Sequence, residues 1–131
     1  MAEFFVRIVF CFIVGNSDMH LKNFSLIETA EASGKYVLSP AYDLLTVNAN
    51  MPSDQEQFAL AMNGKKMNIR KGDFLKFADA CGIARQTAEK LIKSLVKRAP
   101  QWLEMCNESL LPNELKDRLI KIITERAETI K

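Results

Sequence analysis

The sequence predicts a mainly α-helical domain with one small β-hairpin, and three patterns lead to that prediction. An apolar run over residues 2–14 stops at Gly15, a residue type that commonly ends helices. Residues 84–98 repeat apolar side chains every three or four positions, as one face of a helix does. Two short strand-like segments in the first third of the chain complete the pattern.

The hairpin prediction depends on two segments that flank a turn. Residues 24–28 and 36–38 are short and contain strand-forming side chains, and the stretch AEASGK (30–35) between them has the composition of a turn. Pro40 then ends the second strand, because proline lacks the amide hydrogen that a sheet requires. The polar stretch 46–57 is expected to be a loop.

The second half of the chain is predicted to be a helical scaffold. Asp73 is expected to cap a helix that runs to about Cys81, and the amphipathic helix over 84–98 follows it. Pro100 either kinks that helix or separates it from a further turn. Pro112 is expected to open a last helix, because proline is tolerated at the first helical position.

Size and composition restrict the class of protein. The 131 residues suffice for one domain with a real core, so a single domain over 1–131 is predicted. A hydrophobic share of 48% and a charged share of 26% are ordinary for a folded protein. The net charge of +2 gives no case for direct nucleic-acid binding. Three widely spaced cysteines without a CxxC pair argue against zinc or disulfides and favour a cytoplasmic location.

The apolar run FFVRIVFCFIV (4–14) is interpreted as a buried helix and not as a membrane or signal segment. It is too short to span a bilayer, and Arg7 lies in its middle. No small-residue cleavage site follows it. The sequence therefore predicts no membrane partner, and Arg7 is expected to be paired or to extend its charged end toward water.

Polar residues are concentrated in GNSDMHLKNF (15–24), directly after the predicted first helix. Asp18 and Asn23 have the five-residue spacing of protein-kinase catalytic loops. In such loops the Asp reaches the acceptor hydroxyl and the Asn holds a metal ion on the phosphates. The pair alone also fits an ordinary surface turn. Asp43, which follows the predicted hairpin, favours the kinase interpretation, because two carboxylates and one amide oxygen suit magnesium.

On these residues the sequence resembles a known family. VGNSDMHLKNFSL and LSPAYDLL look like the catalytic and metal-binding segments of HipA-type serine/threonine kinases, the toxins of bacterial toxin–antitoxin pairs. ALAMNGKKMNIRKGDFLKFADACGI is similar to the family segment that follows the metal-binding Asp. The resemblance covers residues 4–83 well and the terminal helices more loosely. It implies the C-terminal lobe of a kinase that uses ATP and Mg²⁺.

The resemblance also implies a role for each matching residue. Asp18 would orient or deprotonate the substrate hydroxyl, and His20 would stabilise charge on the transferring phosphate. Lys22 would contact the nucleotide phosphates. Asn23 and Asp43 match the two magnesium ligands of the family. His20 also fits the simpler role of a hydrogen-bonded loop residue.

Other parts of the family pattern cannot be placed in this sequence. A glycine-rich phosphate loop and the phosphate-contacting lysine of the sheet lobe are both without a match. The expectation is a C-terminal lobe without its N-terminal sheet lobe, inactive by itself and with apolar residues such as Phe4, Phe5, Ala41 and Leu44 exposed. The resemblance implies three partners: an aminoacyl-tRNA synthetase as protein substrate, a DNA-binding antitoxin and the missing lobe.

Two other functions stay open at this point. The first is a non-catalytic module that binds an antitoxin or the sheet lobe through exposed apolar surface. The second is a small-molecule kinase of the aminoglycoside or choline type, which shares the Asp, Asn, Asp order. A reading frame for a sheet lobe upstream bears on the first, and a screen of proteins against sugars and amino alcohols bears on the second.

Overall fold

A computed structural model of the chain describes residues 1–42 and 44–131. Its elements are, in chain order, α1 (Ala2–Val14), a 3-10 turn (Leu21–Asn23), β1 (Leu26–Glu28), β2 (Tyr36–Leu38), α2 (Val47–Asn50), α3 (Lys71–Ala80), α4 (Arg85–Glu108) and α5 (Asn113–Ile130). The strands β1 and β2 pair in antiparallel fashion. The prediction of a mainly helical domain with one small hairpin is confirmed.

Helix α1 lies at the centre of the core. Its side chains Phe5, Val9, Phe12 and Ile13 are fully buried, and the helix packs against both α4 and α5. Gly15 ends the helix as predicted, and its φ of 77° lies in the left-handed region that glycine adopts readily. Within the described part of the chain, none of the helices combines the length and the apolar character needed to cross a membrane.

Arg7 is buried in the middle of α1 and is paired, as expected for a cation in that position. Its Nη2 donates a hydrogen bond to the backbone oxygen of Ser39 over 2.7 Å and lies 3.3 Å from Glu3 Oε1. Glu3 therefore balances the charge of Arg7 on the helix, and the hydrogen bond to Ser39 ties the end of the hairpin to α1. Burying a cation here is tolerable because polar partners replace water.

The hairpin is short and largely exposed. Strand β1 begins two residues later than predicted, and it pairs Leu26 with Leu38 and Glu28 with Tyr36. Leu26 is 68% exposed and Tyr36 is 60% exposed. The expectation of an exposed Phe5 is wrong, because Phe5 lies on the inner face of α1 and is fully buried.

Three helix boundaries differ from the sequence predictions. Part of the loop predicted at 46–57 forms the one-turn helix α2. Helix α3 begins at Lys71, which places Asp73 inside its first turn and not at the cap. Pro100 lies inside a continuous α4, so of its two predicted effects the separation into a further turn is wrong; buried Ala99 and Cys106 lie on both sides of it. The start of α3 is a local effect, because Asp73 accepts a hydrogen bond from the backbone N–H of Arg70 just before the helix.

Asp73 fixes the loop before α3 to the helix. Its carboxylate accepts hydrogen bonds from Lys65 Nζ at 2.8 Å, from the Arg70 backbone N–H at 2.9 Å and from Asn63 Nδ2 at 3.2 Å. Burial acts to raise the pKa of Asp73, but these donors together hold that pKa below its ordinary value of 3.8. The ionised carboxylate therefore belongs to the folded state.

Replacing Phe74 by Ala is expected to lower the free energy of unfolding by about 3–5 kcal/mol. Phe74 is fully buried, and its ring centroid lies 5.2 Å from that of Phe12 and 6.2 Å from that of Phe58. Urea unfolding followed by the fluorescence of the single tryptophan, Trp102, measures the change. Leu110→Ala, at a fully exposed apolar position, is the control. Equal losses in the two variants would contradict this description of the core.

Asp73→Asn tests the hydrogen bonds that hold the loop before α3 to the helix, through the pH dependence of the free energy of unfolding. A carboxylate with a lowered folded-state pKa adds stability above its unfolded pKa and loses it as pH falls through the folded value. We expect the variant to be about 1–3 kcal/mol less stable than the wild type at neutral pH. That difference should narrow as the pH falls below 3.8. Asp79→Asn, at an exposed position of the same helix, is the control. If the stability difference between Asp73→Asn and the wild type does not depend on pH, the charge of Asp73 is not its cause.

Candidate functional site

The loop that follows α1 lines an open cleft of about 410 Å³. Ser17, Asp18 and His20 form one wall of the cleft. The opposite wall is formed by Val47, Met51, Asp54, Glu56, Ala59 and Lys66. The two walls come from segments that are far apart in the sequence, so the fold is needed to create the cleft.

Asp18 and His20 are in contact within this cleft. His20 Nε2 lies 3.1 Å from Asp18 Oδ1, and each side chain is about half exposed, at 46% and 50%. The exposed carboxylate is free to accept a proton from a hydroxyl group that enters the cleft. A protonated Nε2 at this distance also holds the carboxylate in one orientation.

Asn23 is buried and closes the loop on itself. Its Nδ2 donates a hydrogen bond of 2.5 Å to the backbone oxygen of Asp18, and its backbone N–H donates to the His20 oxygen at 2.9 Å. A carbonyl oxygen only accepts hydrogen bonds, so the amide nitrogen must face Asp18 and the Oδ1 atom must point the other way. The five-residue spacing thus fixes the orientation of the amide.

The other predicted site residues are less closely associated with the cleft. Lys22 is exposed and does not line it, so its proposed contact with phosphates stays a prediction. Asp43 lies outside the described residues. In the structure the side chains of Asp18 and His20 are in contact, and the side chain of Asn23 is hydrogen-bonded to the backbone oxygen of Asp18.

Tyr42 is a residue that the sequence analysis missed. Its hydroxyl donates to the backbone oxygen of Lys22 at 3.0 Å and lies 2.7 Å from Ser25 Oγ. These bonds attach the segment after the hairpin to the turn that contains Asn23. The tyrosine of the AYDLL motif gives no local signal for this contact, because its partners are about 20 residues away in sequence.

The cleft also contains charged residues that no motif indicated. Asp54 and Glu56 lie on the wall opposite Asp18, and Lys66 Nζ lies 3.7 Å from Glu56 Oε2. Over residues 1–42 and 44–131, no group of three or more His, Cys, Asp or Glu side chains is arranged to hold a metal ion. These residues give the cleft an acidic rim without forming a closed cation site.

Asn16 and Cys11 form the buried base of the loop. Asn16 Nδ2 lies 3.2 Å from Met19 Sδ and 3.8 Å from Cys11 Sγ, and both residues are buried. Burial raises the pKa of the Cys11 thiol to about 11, although Asn16 and Arg7 act in the opposite direction. A thiol that stays protonated at neutral pH is a poor nucleophile, so Cys11 serves packing.

Gly15 determines where the loop leaves α1. A side-chain carbon at this position would lie 3.2 Å from both Ile122 Cγ2 and Thr46 Oγ1, which is closer than ordinary contacts. The Gly15 oxygen accepts a hydrogen bond from the Asn48 N–H at 3.1 Å. Both the left-handed backbone and the close approach therefore require glycine.

Comparison with known proteins gives a family and two relatives. The family description "HipA-like C-terminal domain" matches residues 1–103. The chain is similar to "Putative kinase" of Haemophilus influenzae, with 26% identity over 95% of this chain and 40% of that protein. It is also similar to "Putative kinase Y4dM" of Sinorhizobium fredii, with 54% identity over 70% of this chain and 21% of that protein. The chain thus spans less than half the length of these relatives.

Gly15→Ala is expected to destabilise the domain more than Gly82→Ala does. Both glycines have a positive φ, so each variant incurs a backbone penalty of about 1–2 kcal/mol. Nothing lies within 4 Å of a side-chain carbon at Gly82, whereas Ile122 and Thr46 crowd Gly15. Thermal unfolding of the two variants measures the difference. Equal melting temperatures would show that the end of α1 is not sterically fixed.

Proposed function

The chain belongs to the HipA-like C-terminal domain family, and on that basis we propose that it supplies the catalytic loop of a kinase. The proposed reaction transfers the γ-phosphate of ATP to a serine or threonine hydroxyl of a protein. The observation that carries the proposal is the arrangement of Asp18, His20 and Asn23 in one loop, with the Asp18–His20 pair open to a cleft. Two relatives that are named as kinases support the same reaction class.

Asp18 is the proposed catalytic residue for the acceptor hydroxyl. Its half-exposed carboxylate orients the hydroxyl and takes its proton as the phosphoryl group is transferred. His20, at 3.1 Å, holds the carboxylate in position and adds positive charge near the transferring group when it is protonated. Most catalysis of phosphoryl transfer is positioning and charge stabilisation, and both tasks suit a loop anchored on a buried helix.

One side-chain oxygen of the loop, that of Asn23, is of the kind that suits a magnesium ion. Asn23 presents its amide oxygen away from Asp18, and oxygen atoms are the ligands that Mg²⁺ prefers. Asn23 and Asp43 are the proposed ligands, and Lys22 is the proposed contact to the nucleotide phosphates. A bound Mg²⁺ neutralises phosphate charge. Mg²⁺ sites of kinases use few protein ligands, because water and phosphate oxygens complete the coordination.

The activity of a whole protein of this family needs more than this domain. We propose that a sheet lobe covers the exposed hairpin, where Leu26 and Tyr36 offer apolar surface, and that it supplies the remaining phosphate contacts. An aminoacyl-tRNA synthetase as substrate and a DNA-binding antitoxin as partner are proposed from the family resemblance alone. The toxin role depends on both of these proposals.

Phosphotransfer is expected only when a sheet lobe is added to the purified chain. Without such a lobe the phosphates lack part of their charge stabilisation, and losses of this kind reduce rates by about 100-fold or more. With the lobe present, Asp18→Asn should reduce transfer of labelled phosphate by about 100-fold or more, because it removes the proton acceptor. Asp79→Asn, at an exposed position of α3, is the control and should retain the rate.

Three outcomes would contradict parts of this proposal. Robust turnover by the chain alone, abolished by Asp18→Ala, would show that the sheet lobe is not needed. Transfer to sugars or amino alcohols in place of proteins would indicate a small-molecule kinase. Binding of the lobe without any nucleotide-dependent reaction would indicate a non-catalytic module.

A further inference from the structure

The end of α1 is held by an arginine from the far end of the chain. Arg126 of α5 donates from Nη1 to the backbone oxygen of Phe12 over 2.7 Å. Phe12 lies in the last turn of α1, and its oxygen also accepts a longer hydrogen bond of 3.3 Å from the Gly15 N–H that caps the helix. A cation at that end also interacts favourably with the helix dipole, and the guanidinium carbon lies 5.2 Å from the Phe12 ring centroid.

The second arm of the same guanidinium reaches Asn48 in α2, the residue that follows Val47 of the cleft lining. Arg126 Nη2 donates to Asn48 Oδ1 over 2.8 Å. The Asn48 Nδ2 in turn donates to the backbone oxygens of Asp54 at 3.1 Å and Glu56 at 3.0 Å. Asp54 and Glu56 both line the cleft. Asn48 therefore shapes that side of the cleft, and Arg126 fixes the orientation of its amide.

A direct backbone bond between α2 and the residue that ends α1 completes the connection. The Asn48 N–H donates to the Gly15 oxygen at 3.1 Å, and Gly15 is the residue from which the loop with Asp18 departs. Burial lowers the pKa of Arg126 to about 10, with Glu125 acting in the opposite direction, so the guanidinium stays charged at neutral pH. Its two arms therefore act as charged donors to the end of α1 and to α2 at the same time.

We propose that Arg126 is a positioning residue for the cleft, which holds the Asp18–His20 loop in register with the segment around Asp54 and Glu56. The catalytic meaning of this role rests on the proposed kinase function. Arg126 lies outside residues 1–103, the part that matches the family, so the family motif does not indicate it. A planar guanidinium holds two acceptors at a fixed separation, which a single ammonium cannot do.

Two substitutions separate positioning from mere stability. Arg126→Lys keeps the positive charge but loses the planar guanidinium that donates to Phe12 and Asn48 at the same time. Asn48→Asp keeps an oxygen acceptor for Arg126 and replaces the donor to the Asp54 and Glu56 carbonyls by a second oxygen. Arg98→Lys, at an exposed position of α4, is the matched control.

The readouts are chosen to be independent of turnover. His20 is the single histidine, so the NMR signals of its imidazole report on the Asp18–His20 contact without ambiguity. Trp102 is the single tryptophan, and its emission reports whether each variant is folded. Titration of the wild type and of each variant with Mg²⁺ alone measures how tightly the loop binds the ion.

Both Arg126→Lys and Asn48→Asp are expected to fold, to shift the His20 signals and to weaken Mg²⁺ binding by about ten-fold or more, because sub-ångström displacements matter at such sites. Arg98→Lys should match the wild type in all three measurements. Folded variants with unchanged His20 signals and unchanged Mg²⁺ affinity would overturn the proposal. Should Arg126→Lys fail to fold, Asn48→Asp decides the question.

The same experiment distinguishes failure of this inference from failure of the proposed function. If the wild-type chain binds no Mg²⁺, the proposed metal site loses its support, and the His20 signals still decide the role of Arg126. If the wild type binds Mg²⁺ and the His20 signals do not respond to either variant, the kinase proposal stands and the positioning role is overturned.

Discussion

The last turn of α1 is the constraint on which both the core and the candidate site depend. The direction of the helix is fixed because Phe5 and Phe12 are buried against the other helices. Its end is fixed because Gly15 has a φ of 77° in a space bounded by Ile122 and Thr46. The loop that carries Asp18 therefore starts from a rigid point, and a rigid start is what catalysis by positioning needs.

The polar groups around that turn are incompletely satisfied. Among the described residues, the buried side-chain atoms without a hydrogen-bond partner are Arg7 Nη1, Asn16 Oδ1 and Thr46 Oγ1. Arg7 contacts the end of the hairpin, Asn16 belongs to the loop, and Thr46 borders Gly15. An unpaired buried polar group costs about 1–3 kcal/mol. Two of these three atoms, on Asn16 and Thr46, lie at the end of α1, next to Gly15.

Local signals in the sequence were sufficient for α1, for the hairpin and for the spacing of Asp18 and Asn23, because each depends on neighbours in the chain. Nothing local in residues 46–57 predicts α2, whose Asn48 bonds to Gly15 and Arg126 from distant segments. Pro100 left a choice between a kink and a break, and the helix continues through it because packing of the buried face of α4 outweighs one lost backbone bond. The contacts of Tyr42 with Lys22 and Ser25 could not be predicted either, because they join segments that are distant in the sequence.

These contacts explain why the chemical groups of the site and the residues that position them come from different parts of the chain. Residues that would touch substrate or metal lie close together in sequence, because a short loop orients them by its own hydrogen bonds, as Asn23 does with Asp18. Residues that set the distance between the two walls have to come from elsewhere, because no short loop spans a cleft. Arg126, near the other end of the chain, bonds to Phe12 at the end of α1 and to Asn48 in α2. A search for the motif alone therefore finds the chemical groups and misses the side chain that keeps them in place.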